Sequence, residues 1–136
     1  MTPTTAALAA DLERVAHERG DITDAVYREF FARSRDGAAL FEHTDDPTRG
    51  RMLQHTLELF SEDGHLEPGA YLDWELDNHL VGYRATPAMY DAFLAALLAI
   101  VTAGAPSDAQ ACWQQRCAEV LARVRAFNNH NPVATP

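Results

Sequence analysis

Lysine is the residue type that this sequence lacks entirely. All 11 of its basic residues are arginine, against 20 acidic residues, and the formal net charge at pH 7 is −9. Without a lysine amine, no side chain can form a Schiff base with a carbonyl substrate. The acidic balance also argues against nucleic acids and anionic membranes as partners, because both carry negative charge.

Long apolar runs and cysteine motifs are missing as well. The longest apolar stretch, 93–101, is about half of the roughly 20 residues that a membrane-spanning helix needs. Residues 1–5 carry no basic region and no cleavage signal, so we expect a cytoplasmic protein. The two cysteines, Cys112 and Cys117, lie about 140° apart around a predicted helix, which is poor geometry for a disulfide. We therefore expect both to be small packing residues.

The sequence is rich in helical periodicity. Its 136 residues, 47% of them hydrophobic, are enough for one domain at 1–136, with a core at about 5–127 and a C-terminal tail at 128–136. Apolar residues recur at helical spacing, and cap residues, prolines and glycines mark the ends of the segments. The predicted helices cover about 5–19, 23–34, a short turn at 40–41, 47–61, 68–80, 87–103 and 107–127. The pattern predicts an all-α fold with six to seven helices of unequal length.

The segment 71–84 places an imidazole within an apolar stripe. On a regular helix, one side carries Leu72, Leu76, His79, Leu80 and Tyr83. A histidine in that place is either a hydrogen-bonded core residue or a ligand directed into the core. Glu75 could join His79 in a zinc site, but further ligands at helical spacing are not visible. The only Glu-x-x-His motif, at 62–65, lies in a glycine-containing loop, which disfavours a ferritin-like di-iron site.

Four segments follow one another in an order and spacing known from one protein family. Segment 26–31, Val-Tyr-Arg-Glu-Phe-Phe, is similar to a Phe-Tyr-x-x-Leu-Phe motif, and 40–41 is similar to a Leu-Phe pair that precedes a distal loop. Segment 79–90 begins with a histidine and continues through a glycine, a proline and a tyrosine. Trp113 is similar to a last-helix tryptophan. Together these segments resemble the bacterial single-domain globins and the globin domain of flavohaemoglobins.

The resemblance implies a globin-like fold with haem b between the helices at 47–61 and 68–80. The implied haem-binding residues are Tyr27, Phe41, Arg49, Leu53, Leu76, His79, Arg84 and Tyr90, and His79 is the implied iron ligand. Phe41 would pack against the porphyrin, and the Tyr27 hydroxyl would stabilise the partial negative charge of bound O₂. Each also has a simpler interpretation: a core phenylalanine, a tyrosine bonded to backbone and a histidine bonded to a carbonyl.

Three positions decide how far the resemblance extends. Arg49 stands where the family usually has Gln or His; it could reach a haem propionate, which we favour, or donate to a bound ligand, and Arg84 is a second propionate candidate. A shift of one or two residues in the loop 43–48 would give the distal position to Gly50 or another neighbour. His55 is about 120° from Arg49 around the helix, so we expect it to face away from the haem. Asn128 falls near the family's proximal glutamate, which predicts a less anionic imidazole and less peroxidase-like chemistry.

The leading functional prediction is a haem globin that reversibly binds O₂ at ferrous iron, with NO and CO as further ligands. The sequence ends where a flavin reductase domain would begin, so NO dioxygenase activity would need a separate reductase as partner. The alternative prediction is a haem-free globin-fold module for sensing or protein interaction. A haem peroxidase or nitrite reductase is a third, and the oligomeric state is left open.

Overall fold

The computed structural model describes residues 1–130, apart from the side chains at positions 81 and 82. Within this range it contains seven α-helices, one π-helical segment and no strand. The α-helices are α1 (Pro3–Arg19), α2 (Thr23–Arg33), α3 (Arg35–Leu40), α4 (Asp46–Ser61), α5 (Tyr71–Leu76), α6 (Pro87–Val101) and α7 (Ser107–His130). The π-helical segment, Asp77–Gly82, continues directly from α5. The all-α prediction is confirmed. The predicted tail at 128–136 begins too early, because α7 extends to His130. Positions 131–136 lie outside the described residues.

Side-chain caps fix the starts of the helices that border the site. The Asp45 side chain accepts a hydrogen bond from the backbone N–H of Thr48 at 2.9 Å, so α4 starts one residue after it, at Asp46. The Asp46-Pro47 pair in the sequence predicts Asp46 as the cap, and this prediction is wrong by one residue. At α6 the Thr86 hydroxyl accepts a hydrogen bond from the backbone N–H of Met89 at 3.2 Å. The Thr86-Pro87 pair in the sequence predicts this cap.

Helix α6 lies at the centre of the fold, as its almost continuous apolar sequence predicts. It packs against α2 on one side and α7 on the other. Its inward residues, Leu94, Ala96, Leu97 and Val101, are fully buried. The burial of such aliphatic side chains contributes on the order of 1.5–3 kcal/mol each. Helix α6 therefore gives rigid support to the helices that pack against it, α2 and α7.

Two buried polar groups join α7 to α1 and α4. The Arg116 guanidinium donates to the Leu59 and Phe60 carbonyls at 2.9 and 3.0 Å, and to the Thr5 hydroxyl at 2.9 Å. These bonds satisfy carbonyls in the last turn of α4, which the helix itself leaves unpaired. The arginine therefore fixes the end of α4 relative to both terminal helices.

The second buried group is Asp11 on α1. Its carboxylate accepts from the Trp113 indole at 2.8 Å and from the Arg14 Nε at 2.7 Å. The hydrogen bond from Arg14 is the main reason that the pKa of Asp11 lies below its ordinary value, and the Trp113 bond lowers it further against the effect of burial. Trp113 itself is fully buried. This bond orients the indole between α1 and α7.

Cys112 and Cys117 are both free thiols, and Cys117 is buried on α7. Burial raises the pKa of the Cys117 thiol, which keeps it protonated and unreactive. Among the helices of residues 1–130, none combines the length and the apolar character that crossing a bilayer requires.

Candidate functional site

A cavity of about 410 Å³ lies between α4 and the α5–π segment. The ends of α2 and α3 and the start of α6 close its remaining sides. Its lining is mainly apolar and includes the aromatic rings of Phe41 and Phe93. This volume falls within the range of roughly 300–1,000 Å³ that small-molecule and cofactor sites occupy.

The imidazole of His79 lies in the wall of this cavity, with one nitrogen hydrogen-bonded and the other close to a carboxylate. Its Nδ1 lies 2.7 Å from the Tyr90 hydroxyl on α6, and its Nε2 lies 3.1 Å from a carboxylate oxygen of Glu75. Burial lowers the pKa of His79 below 6.5; the Glu75 charge opposes this shift and the nearby His55 adds to it. The ring is therefore neutral near pH 7 and has one N–H and one acceptor nitrogen.

Glu75 connects the histidine to two further side chains. Its Oε1 accepts a short hydrogen bond from the Tyr71 hydroxyl and lies 3.6 Å from the Nδ1 of His55. Burial, and then the bond to Glu75, raises the pKa of Tyr71, so its hydroxyl remains a donor. Burial likewise raises the pKa of Tyr90. We call His55, Tyr71, Glu75, His79 and Tyr90 the polar cluster.

His79 lies where the chain changes from an α-helix to a π-helical turn. Directly after α5 the chain enters a π-helical turn, in which the N–H of Tyr83 bonds to the Asn78 carbonyl at 3.0 Å. The predicted stripe holds for the leucines at 72, 76 and 80, which are buried; Tyr83 lines the cavity as His79 does, but it is 63% exposed. The prediction of one regular helix is wrong here, because the wider turn shifts the side chains that follow it. Such segments are rare and occur frequently at functional sites.

Of the eight residues predicted to bind haem, four line the cavity: Tyr27, Phe41, His79 and Tyr90. The Tyr27 hydroxyl donates to the backbone carbonyl of Arg49 at 3.2 Å, which is the simpler interpretation considered for it. Its ring packs against Phe41 with centroids 5.5 Å apart. Burial raises the pKa of Tyr27, so the phenol remains protonated.

The other four predicted residues lie outside the cavity lining. Leu53 and Leu76 are buried in the core. The Arg49 guanidinium donates to the Phe41 carbonyl at 2.7 Å and lies 5.0 Å from the Phe31 ring centroid. Arg84 is exposed, with a backbone φ of 59°. Their assignment to haem or its propionates stays a prediction.

The prediction that His55 faces away from the cavity is wrong. Helix α4 turns Met52, His55, Thr56 and Leu59 into it, while Leu53 and Phe60 pack into the core. These four lining positions are themselves spaced i, i+3, i+4 and i+7, so a second stripe was present in the sequence. The apolar character of Leu53 favoured the wrong face for the cavity.

The imidazoles of His55 and His79 both line the cavity, and only that of His79 is hydrogen-bonded at Nδ1. Within residues 1–130, no three His, Cys, Asp or Glu side chains gather in an arrangement that could hold a metal ion. The hydrogen bond at Nδ1 is the kind of outer contact that orients a metal-binding histidine.

Comparison with known proteins assigns the fold. No family model and no curated protein matches the sequence. The structure is similar to that of a protein from Pseudomonas aeruginosa PAO1, described as structurally highly homologous to a human hemoglobin. The TM-score is 0.74, the sequence identity is 20%, and the match covers 91% of this chain and 97% of the other. The fold is thus globin-like, as predicted, and the particular likeness to flavohaemoglobins stays a prediction.

Proposed function

We propose that this protein binds haem b through His79 and reversibly binds O₂, with NO and CO as further ligands. The observation that supports this most directly is the neutral imidazole of His79 in the wall of a mainly apolar cavity, within a globin-like fold. Its Nδ1 is held by Tyr90 at 2.7 Å, which leaves Nε2 as the nitrogen that could bind iron.

The residues of the cavity fit a porphyrin. A single imidazole suits a metal whose other ligands come from a macrocycle, and the apolar lining suits the flat porphyrin faces. When bound, haem would supply a ferrous iron that takes O₂ reversibly. The chain itself contributes the iron ligand at His79 and the aromatic walls at Phe41 and Phe93.

Two groups of this chain would tune such a site. Tyr90 orients the imidazole from α6, and Tyr27 supplies a protonated hydroxyl from α2. The Tyr27 hydroxyl would have to turn away from the Arg49 carbonyl to donate into the cavity. NO dioxygenase activity is a secondary proposal, and it requires a separate reductase to return the iron to the ferrous state.

A second candidate is a haem-free module for sensing or protein interaction. It is favoured by one specific observation: a carboxylate oxygen of Glu75 lies 3.1 Å from the Nε2 of His79, inside the same cavity lining. In this case the contacts within the polar cluster would be permanent features of the cavity wall.

Absorption spectra of the purified protein with added haemin separate these candidates. We expect a Soret band, with distinct ferric, ferrous and CO-bound spectra, and its loss in His79→Ala. The matched control is His43→Ala, whose side chain is 92% exposed; its spectra should equal those of the wild type. A colourless protein that refuses haemin would contradict haem binding and favour the second candidate.

A further inference from the structure

We propose that Tyr71 and Trp74 form a path by which single electrons pass from the protein surface to the cavity, with Glu75 as the proton acceptor of Tyr71. The oxidant that draws these electrons would be haem that has reacted with a peroxide, so the inference rests on the proposed function. It adds to O₂ binding a route by which oxidising equivalents leave the cavity.

Two aromatic rings connect the cavity with the solvent. Tyr71 lines the cavity, and Trp74, three residues further along α5, is 65% exposed. The rings stack, with centroids 6.0 Å apart and planes inclined by 28°. Residues at i and i+3 are neighbours on the surface of a helix, so α5 itself holds the pair in contact. The pair therefore leads from the cavity wall to the protein surface.

Tyr71 has the proton acceptor that its oxidation requires. A phenol that loses an electron becomes strongly acidic and must release its proton. The Tyr71 hydroxyl donates a hydrogen bond to Oε1 of Glu75, whose side chain is buried. Burial, and then this bond, raises the pKa of Tyr71, so the hydroxyl keeps its proton until it is oxidised. The proton can then pass to the carboxylate along the existing hydrogen bond.

Two imidazoles hold the Tyr71 ring from other sides. His55 on α4 and His65 in the loop before α5 contact it edge to face, with ring centroids 6.1 and 5.4 Å away. His65 is itself hydrogen-bonded to Glu62 at 2.8 Å. Such contacts fix the orientation of an aromatic ring. The stack on Trp74 and the bond to Glu75 are thus kept at the same time.

Each step of the transfer conserves electrons and protons. Tyr71 gives one electron to the oxidised haem and its proton to the Glu75 carboxylate, which leaves a tyrosyl radical and a carboxylic acid. Trp74 then gives an electron to that radical and its indole proton to water, while Tyr71 recovers its proton from Glu75. The Trp74 radical takes a hydrogen atom from an external reductant. Two such turns deliver two electrons, and the two protons released to water are those that hydrogen peroxide consumes in becoming two water molecules.

The external reductant is a neutral phenol. The chain has a formal net charge of −9, which disfavours the approach of an anionic reductant such as ascorbate. A phenol can also stack on the exposed indole of Trp74 before it is oxidised.

The first experiment tests the two rings in the purified protein without haemin. Azide radicals made by pulse radiolysis oxidise accessible tryptophan, so they should act on Trp74 and spare Trp113, which is fully buried. The Trp74 radical then takes an electron from Tyr71, which runs the exchange between the rings in the opposite direction. The readout is the transient absorbance of the tryptophan radical and of the tyrosyl radical that replaces it.

We expect this replacement in the wild type and its loss in Tyr71→Phe, which keeps the ring but cannot form the tyrosyl radical. Glu75→Gln keeps the shape of the side chain but replaces the proton acceptor by an amide, so the replacement should be slower. Tyr83→Phe is the matched control, because Tyr83 is exposed and contacts His79; it should keep the wild-type rate. Circular dichroism checks the folding of each variant. A wild-type rate in Tyr71→Phe would overturn the path.

The second experiment adds the cavity end of the path. The protein is loaded with haemin and treated with hydrogen peroxide, and the oxidised residues are located by mass spectrometry of its peptides. Oxidation should concentrate at Trp74, fall in Tyr71→Phe and be suppressed by an added phenol. The same treatment without haemin measures the oxidation that free peroxide causes.

The outcomes separate this inference from the proposed function. If haemin is taken up and Trp74 is oxidised equally in the wild type and in Tyr71→Phe, the path is overturned and haem binding stands. If haemin is not taken up, the proposed function is overturned, and with it the path as a route to the cavity, whatever the radiolysis gives.

Discussion

Removal of the Tyr90 hydroxyl is the sharpest test of how the imidazole is held. In Tyr90→Phe the ring keeps its place on α6, but the 2.7 Å bond to the His79 Nδ1 is lost. This removes one partly buried hydrogen bond, which costs about 0.5–1.5 kcal/mol of the free energy of unfolding. Chemical denaturation monitored by circular dichroism measures that loss.

The effect on haem should be larger than the effect on folding. Loss of an outer hydrogen bond to a metal-binding histidine typically weakens metal affinity by about 10–100-fold, or roughly 1.4–2.7 kcal/mol. We therefore expect haemin to dissociate from Tyr90→Phe at least tenfold faster than from the wild type. The measurement is the transfer of haemin to an excess of an acceptor protein.

Tyr83→Phe is the matched control for this experiment. Its ring also lines the cavity beside His79, with centroids 6.4 Å apart, but the residue is 63% exposed and the hydrogen bond to Nδ1 comes from Tyr90. It should leave both the free energy of unfolding and the dissociation rate unchanged. If Tyr90→Phe also leaves both unchanged, the Tyr90 hydroxyl does not hold the imidazole, and the orientation that we derive for Nε2 loses its basis.

The remaining predictions concern the two buried polar groups that join α7 to α1 and α4. Arg116→Met should lower the free energy of unfolding by about 2–3 kcal/mol in urea, because three hydrogen bonds are lost while the desolvation of one buried charge is relieved. Because the pKa of Asp11 is held below 3.8 in the folded protein, its contribution to stability is present above about pH 4 and is lost at lower pH. Asp11→Asn should therefore be less stable at pH 7, with a shallower loss of stability between pH 5 and pH 2.

Each of these predictions has a control and a contrary result. Arg125→Met removes an arginine that is 61% exposed and should cost less than about 0.5 kcal/mol. Equal effects of the two arginine variants would contradict the structural role of Arg116. An acid transition of Asp11→Asn that matches the wild type would mean that Asp11 has no part in it.

The helical framework could be predicted because local signals and packing agree. The Thr86-Pro87 pair starts α6 as expected, and the apolar sequence of α6 places it at the centre. Short polar caps and apolar spacing act within a few residues, so a single sequence contains them. Helix starts predicted from such signals are therefore wrong by little, as at α4, where the cap is Asp45 and not Asp46.

The site was harder to predict because it depends on contacts between distant segments. His55 and Leu53 belong to two overlapping stripes on α4, and only the packing of α4 decides which stripe faces the cavity. The π-helical turn after α5 gives no periodic signal of its own, so the sequence does not predict the 63% exposure of Tyr83. The i, i+4 spacing places Glu75 beside both Tyr71 and His79, but the approach of His55 from α4 follows from the tertiary fold.

The π-helical segment also affects how easily the cavity beside His79 can open. His79 stands on two short stretches, α5 and Asp77–Gly82, each six residues long, rather than on one of the long helices. Short helices and wide turns have little cooperativity of their own, so they open at a lower free energy than a packed central helix such as α6. The cavity can therefore open by local unfolding of α5 and the π-helical segment, while α6 and the helices packed on it stay folded. Retention of the proposed haem and global stability would thus be separate properties of this chain.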